Sequence, residues 1–265
     1  MQRPVAHYRE VGSGPSVLCI HSIASSGAQW RPLMELLAGS YRVVAVDLYG
    51  DGKSPTCPAE RDFSIDDEVE LIQPILEEAG RFHLVGHSYG ASVAIKICLS
   101  DPSRVASLVL YEPTLWGMFV DYWPDDPGAK EVLGLRAETG GLIDSGDIEA
   151  AAHRFVDYWS GLGVWAATPE HRRADIIAGV RTGAHKWKPN PGFSVSPEEL
   201  NALDIPNLVL TGSKTAEAMR GLMKRLREAV PRLQIVELAG LGHMGPITHP
   251  EIVNARIAAF LQNIE

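Results

Sequence analysis

A doubly wound α/β fold with a mostly parallel sheet and one helical insert is the architecture that this 265-residue sequence predicts. Three observations lead to it. Short runs rich in Val, Leu and Ile recur along the chain, bounded by Gly, Ser or Asp. Stretches with apolar residues at helical spacing separate these runs, and strand–helix alternation builds a parallel sheet. The alternation stops near residue 113 and resumes after about residue 200.

Residues 16–22 (SVLCIHS) and 41–48 (YRVVAVDL) are the first two runs, short and apolar throughout, as strands buried on both faces must be. Residues 66–79 carry a helical pattern, and residues 81–88 (RFHLVGHS) form the next strand. A helix over residues 89–100 ends before Asp101-Pro102, and residues 105–112 (VASLVLYE) repeat the strand pattern. Residues 113–200 are rich in Trp, Gly and Asp, with helical patterns at 147–159 and 169–182 and no convincing strand. The strand pattern returns at residues 207–213 (NLVLTGS), followed by a helix over 216–230, a strand at 234–239 and an amphipathic helix over 250–262. The chain therefore divides into a core of residues 1–112 and 201–265 and a helical cap of residues 113–200.

Composition removes several classes of function. With 24 Lys and Arg against 33 Asp and Glu, the net charge of −9 argues against nucleic acid or an anionic membrane as partner. At 45% hydrophobic and 22% charged residues the chain has the balance of a globular protein, not of a disordered one. No segment approaches the roughly 20 apolar residues of a membrane span. The N-terminus has no apolar signal region, so the expected compartment is the cytoplasm. Cys19, Cys57 and Cys98 are too scattered for a disulfide framework or a zinc site, and Cys19 and Cys98 read as small core residues. Gly12-Ser13-Gly14 lacks the Lys-Ser/Thr and the helix of a phosphate loop. The expectation is no metal, no cofactor, and a small molecule as partner.

The most specific signal is Gly86-His87-Ser88-Tyr89-Gly90, a G-x-S-x-G between a strand and a helix. Its glycines permit a tight, strained turn that projects Ser88 above the C-terminal edge of the sheet. A serine hydroxyl needs a base. Of nine histidines, His243 is the best placed, in a glycine-rich loop (Gly240 to Gly245) after the last strand. His87, beside Ser88, points elsewhere and reads as packing, while His21 ends a strand and is expected to order the adjacent loop. His249 stands at a helix start as an exposed or capping residue. The remaining five (His7, His83, His153, His171, His185) carry no assignment.

These motifs, with His21-Ser22-Ile23 and the run from Asp47 to Ser54 (DLYGDGKS), resemble those of the α/β-hydrolase family with a cap domain, over residues 5–262. The resemblance implies an esterase-like serine hydrolase whose cap is inserted after the sixth core strand. It also implies an oxyanion hole made by the backbone N–H groups of Tyr89 and Ile23, with the Asp47–Ser54 run as a structural loop. Where the family has glycine this chain has Ser22, whose hydroxyl either caps the loop or approaches the oxyanion within the substrate pocket.

The family's acid is expected at Gly-x-x-Asp, but here the run is Gly212-Ser213-Lys214-Thr215. Glu112, at the end of the strand after the nucleophile helix, is the first candidate, as in some relatives that carry their acid there. Glu217 is the second, and a third reading has no working acid. The triad would then be Ser88, His243 and Glu112, in the chain order Ser, acid, His.

Aromatic residues crowd the insert, and Trp116, Trp159 and Trp187 are expected to line an apolar pocket while most others form the cap's own core. Lys186 and Lys188 read as a solvated surface pair. The leading function is cleavage of a small ester through an acyl-enzyme. Lactones and carbon–carbon bonds are alternatives on the same triad, and non-catalytic ligand binding is the alternative from another class.

Overall fold

The computed structural model describes residues 4–57, 63–187 and 193–264, except for the side chains of His185 and Trp187. Seven strands form one sheet: β1 (Tyr8–Val11), β2 (Ser16–Ile20), β3 (Arg42–Val46), β4 (Phe82–His87), β5 (Val105–Tyr111), β6 (Asn207–Gly212) and β7 (Ile235–Leu238). Their spatial order is β1-β3-β2-β4-β5-β6-β7. β1 runs antiparallel to β3, and all other neighbours are parallel. β1 escaped the sequence reading because its four residues, YREV, are half-buried or exposed at the sheet edge and show no apolar run.

The central strands have the side-chain alternation that a sheet covered on both faces requires. Leu18, Ile20, Val44, Val46 and Leu84 enter one apolar cluster, while the intervening Val17, Cys19, Val43, Ala45 and Val85 enter the other. Cys19 and Cys98 are buried, unpaired thiols in these clusters, as expected.

Twelve α-helices lie among the described residues: α1 (Arg31–Leu37), α2 (Ile65–Ala79), α3 (Tyr89–Ser100), α4 (Trp116–Tyr122), α5 (Pro127–Asp144), α6 (Ile148–Ser160), α7 (Val164–Ala167), α8 (Glu170–Thr182), α9 (Pro197–Ala202), α10 (Glu217–Ala229), α11 (Gly245–Thr248) and α12 (Pro250–Gln262). None is long and apolar enough to cross a membrane. Helices α4 to α9 fall between β5 and β6, with no strand among the described residues there. The preceding strand is the fifth of the seven described, not the sixth that the family resemblance implies.

The longest helix, α5, has no counterpart in the sequence reading. Its glycines weaken helical propensity, yet Ala129, Val132, Leu135 and Thr139 form a buried stripe at helical spacing. Asp126 caps it by accepting from the Gly128 N–H at 3.0 Å, with Pro127 in the first turn. The insert is only partly a separate body. Ala151, Ala152, Val156, Trp165 and Val180 form a small cluster of their own, whereas Trp116, Phe119 and Trp159 join the main core.

This topology brings five chain segments to one edge. Ser22, Ser88, Glu112 and Ser213 follow the C-terminal ends of β2, β4, β5 and β6, and His243 lies in the loop after β7.

Candidate active site

Ser88 sits between β4 and α3 with φ 57° and ψ −119°. A non-glycine residue in that region is strained by on the order of 1–3 kcal/mol and persists only where its surroundings enforce it. Here the enforcement is backbone crowding. A Cβ on Gly86 would lie 2.5 Å from the Ala91 Cα, and one on Gly90 would lie 2.3 Å from the His21 carbonyl oxygen. The Ser88 N–H donates to the Tyr111 carbonyl at 2.9 Å, tying the turn to β5. Tyr89 is the first residue of α3, so its N–H lies in the turn that has no intrahelical acceptor.

His243 and Glu112 complete a run of hydrogen bonds. His243 Nε2 lies 2.9 Å from Ser88 Oγ, and His243 Nδ1 lies 2.7 Å from Glu112 Oε2. All three residues are buried, Glu112 completely and Ser88 with 7% of its surface exposed. A carboxylate only accepts, so Nδ1 carries the ring proton and the Nε2 lone pair faces the serine hydroxyl. Glu112, like Ser88, has a positive φ (47°).

The carboxylate is held by four donors. Oε1 accepts from the Gly212 N–H at 2.7 Å and from Thr211 Oγ1 at 3.0 Å. Oε2 accepts from Thr215 Oγ1 at 2.8 Å as well as from His243. Thr215, at the position expected to hold Asp, is thus a donor to the glutamate of the next strand. Glu217 is half-exposed and pairs with Arg220 on α10 instead.

On the opposite side stands the loop after β2. His21 Nδ1 donates to the Ser22 carbonyl at 2.7 Å, and its Nε2 accepts from the Leu48 N–H at 3.0 Å, so it orders the loop. Burial lowers its pKa, which keeps the ring neutral. Ser22 is buried, and its hydroxyl donates to Gln29 Oε1 at 3.2 Å, which fastens the loop. Ile23 follows it, and Ala24, next in line, has φ 54°. Asp47 organises its own loop, accepting from the N–H groups of Gly27 at 2.7 Å and Lys53 at 3.0 Å.

One of the three tryptophans packs at a tilt against His243, and a second stacks on the first. The Trp159 ring centre lies 4.1 Å from that of His243, and Trp116 stacks on Trp159 at 5.9 Å. The Trp187 side chain, like Lys188, lies outside the described residues. Lys186 corrects the expectation of a solvated pair. Its side chain is fully buried, donating to the Tyr49 carbonyl at 2.8 Å and Asp51 at 2.7 Å, with Glu68 3.3 Å away. Burial opposes its charge, but Glu68 and Asp51 prevail and raise its pKa above the usual lysine value. Burial, only partly countered by Lys186, raises the pKa of Glu68.

Three further residues, absent from the sequence reading of the site, touch its loops: Gln29, Thr215 and Tyr111, whose hydroxyl donates to the Gly242 carbonyl at 2.7 Å. Thr215 was findable as the residue standing where the acid was missing. Gln29 and Tyr111 carry no local motif. His87, expected only to pack, also makes hydrogen bonds, its Nε2 lying 2.9 Å from the His243 carbonyl oxygen.

Residues 17–256 match the Alpha/beta hydrolase family. The chain is 30% identical over 250 residues to a pimeloyl-[acyl-carrier protein] methyl ester esterase of Aeromonas hydrophila, a match spanning 91% of this chain and 92% of the relative. It superposes on carboxylesterase CesB (YbfK) of Bacillus subtilis with a TM-score of 0.75 at 25% identity, covering 98% of this chain and 89% of that one. An enol-lactonase of Burkholderia xenovorans, at 17% identity, shares the fold with a TM-score of 0.75 over 97% of this chain and 96% of its own. The chain therefore belongs to the alpha/beta hydrolase family.

Proposed function

We propose that this alpha/beta hydrolase cleaves a small carboxylic ester through an acyl-enzyme, without metal or cofactor. Ser88 is the nucleophile, His243 the base and then the acid, and Glu112 the residue that orients His243. The observation that carries this reading is the unbroken run Ser88–His243–Glu112, with links of 2.9 and 2.7 Å. Residues 113–200 act as the cap over the core of residues 1–112 and 201–265, and Trp116 and Trp159 line the apolar side of the site. The names of the relatives, a methyl ester esterase and a carboxylesterase, favour an ester over other acyl substrates.

The mechanism follows from the proton positions. As Ser88 Oγ attacks the ester carbonyl carbon, its proton passes to His243 Nε2, and the imidazolium faces Glu112. The carbonyl oxygen takes the negative charge and is met by the N–H groups of Tyr89 and Ile23, each such donor worth about 3 kcal/mol of barrier. Collapse breaks the carbon–oxygen bond, and the departing alcohol takes the proton from Nε2. Water then repeats the sequence on the acyl group and returns Ser88 to its starting state. A small-molecule substrate is the only partner this chemistry needs.

The test pairs a panel of p-nitrophenyl esters, lactones and ring-cleavage dienoates with a fluorophosphonate probe. Ester turnover and His243-dependent labelling of Ser88 are expected, and Ser88→Ala should lose about 10⁵–10⁶ in kcat. A wild type that is inert to every substrate and to the probe would move the reading to ligand binding. Full activity in Ser88→Ala would remove the nucleophile assignment.

A further inference from the structure

We infer that Gln29 and His87 are positioning residues for this reaction, forming a buried relay that sets the oxyanion loop and the His243 loop relative to each other. The inference rests on the proposed serine-hydrolase reading and extends it to two residues that touch no substrate.

The relay is fixed by the donor inventory of each group. His87 is fully buried at the end of β4, beside Ser88. Its Nε2 lies 2.9 Å from the His243 carbonyl oxygen, which only accepts, so Nε2 must carry the proton. The His87 ring is neutral, because burial above all and the neighbouring His243 hold its pKa well below the ordinary histidine range. Nδ1 is then an acceptor, and the group 3.0 Å from it is the Gln29 side-chain nitrogen, which donates. That orients the Gln29 amide and turns Oε1 the other way. There it accepts from the Ser22 N–H at 3.3 Å, from the Ser22 hydroxyl at 3.2 Å and from the Ser25 hydroxyl at 3.2 Å. Each assignment forces the next, from the His243 backbone to both sides of Ile23.

The placement has a chemical consequence. In the transition state negative charge collects at the Ile23 and Tyr89 N–H groups while positive charge appears on His243. The relay joins those two poles through side chains that do not themselves titrate or react. Misplacement of either pole by about 1 Å costs on the order of 10²-fold in rate. Tyr111 also holds the His243 loop, through the Gly242 carbonyl, so loss of the relay should loosen that loop without releasing it.

The experiment compares Gln29→Leu, Gln29→Glu, His87→Leu, His87→Gln and the double Gln29→Leu/His87→Leu. Steady-state ester kinetics are measured alongside ¹⁵N NMR of histidine-labelled protein. Gln29→Leu and His87→Leu should each lower kcat by about 10–100-fold with KM changed less than about threefold, and the double should be no worse than either single. His87→Gln should restore most of the rate, because an amide also donates to the His243 carbonyl and accepts from Gln29. Gln29→Glu should fail like Gln29→Leu as long as the buried His87 ring stays neutral, because a carboxylate has no N–H to give Nδ1 and could accept only from a doubly protonated ring. The NMR should place the His87 proton on Nε2 in the wild type and show that resonance perturbed in Gln29→Glu.

Additive losses in the double, a wild-type rate in Gln29→Glu with the His87 ring still neutral by NMR, or an Nδ1–H tautomer on wild-type His87 would each overturn the relay. The tautomer needs no turnover. If the wild type hydrolyses nothing while the Nε2–H tautomer is found and Gln29→Glu perturbs it, the ester-hydrolase reading and the positioning role fall, and the buried hydrogen-bond chain alone stands.

Discussion

Replacing Glu112 with Gln isolates the acid from its shape, and the structure dictates how the new amide must sit. The Oε1 position faces the Gly212 N–H at 2.7 Å, a donor that cannot rotate away, so the amide oxygen has to occupy it. The amide nitrogen is then forced into the Oε2 position, opposite Thr215 Oγ1 and His243 Nδ1. The Thr215 hydroxyl adapts by turning into an acceptor. His243 adapts only by moving its proton from Nδ1 to Nε2, where it points at Ser88 and leaves no lone pair to take the serine proton. The expected loss is about 10⁴ in kcat, the size found when a triad acid becomes its amide elsewhere, or about 5 kcal/mol of barrier. The assay is kcat for a p-nitrophenyl ester, with urea denaturation to show that folding stability changes by no more than about 2 kcal/mol. Glu217→Gln is the control and should retain wild-type activity. A Glu112→Gln enzyme with a tenth or more of the wild-type rate would refute the tautomer argument, and an inactive, folded Glu217→Gln would refute the choice of acid.

Two further outcomes concern stability. Lys186→Met removes the cation from the buried Asp51 and Glu68 and should cost about 3–5 kcal/mol in urea denaturation, part of which Glu68→Gln should restore in the double variant. His87 has a folded pKa lowered from 6.5, so below pH 6.5 the unfolded chain binds a proton that the folded one refuses. Its contribution to stability should fall as pH drops below 6.5, by up to about 1.4 kcal/mol per pH unit. Glu68, whose pKa is raised, acts in the opposite sense, so the measurement is the difference between wild type and His87→Gln across pH 7 to 5. A difference that does not change over that range would contradict a neutral, buried His87.

What the sequence disclosed, and what it withheld, divides by the range of the interaction that decides each feature. The strands β2 to β5 and the helices α3 and α12 are encoded by local apolar patterns, and both helices lie at the predicted residues. The edge strand β1 has no such pattern, because pairing with β3 rather than burial holds it. Ser88 and His243 stand in motifs that need only a few neighbouring residues to be read. Nothing local marks Lys186 as buried, because its partner Asp51 lies 135 residues away. Gln29 was invisible for the same reason, being bound to His87 across 58 positions.

The departure at Thr215 acquires a physical meaning when the strand ends are compared. Among the described residues, Ala24, Ser88 and Glu112 are the non-glycine residues with positive φ, and they follow the adjacent strands β2, β4 and β5. Strain of on the order of 1–3 kcal/mol at each is tolerable only where the surroundings overdetermine the backbone; Ser88 and Glu112 stand directly at the ends of β4 and β5, and Ala24 in the loop after β2. In the family pattern the carboxylate would follow β6. Here the end of β6 supplies Thr211, the Gly212 N–H and Thr215, all donating to a carboxylate that has moved one strand inward. A carboxylate beyond Gly212 would sit on the segment that now supplies its hydrogen bonds, whereas Glu112, fixed by its strained backbone on β5, receives them from across the sheet. That arrangement explains how a chain without the usual Gly-x-x-Asp still surrounds a buried glutamate with hydrogen-bond donors 2.7 Å from His243.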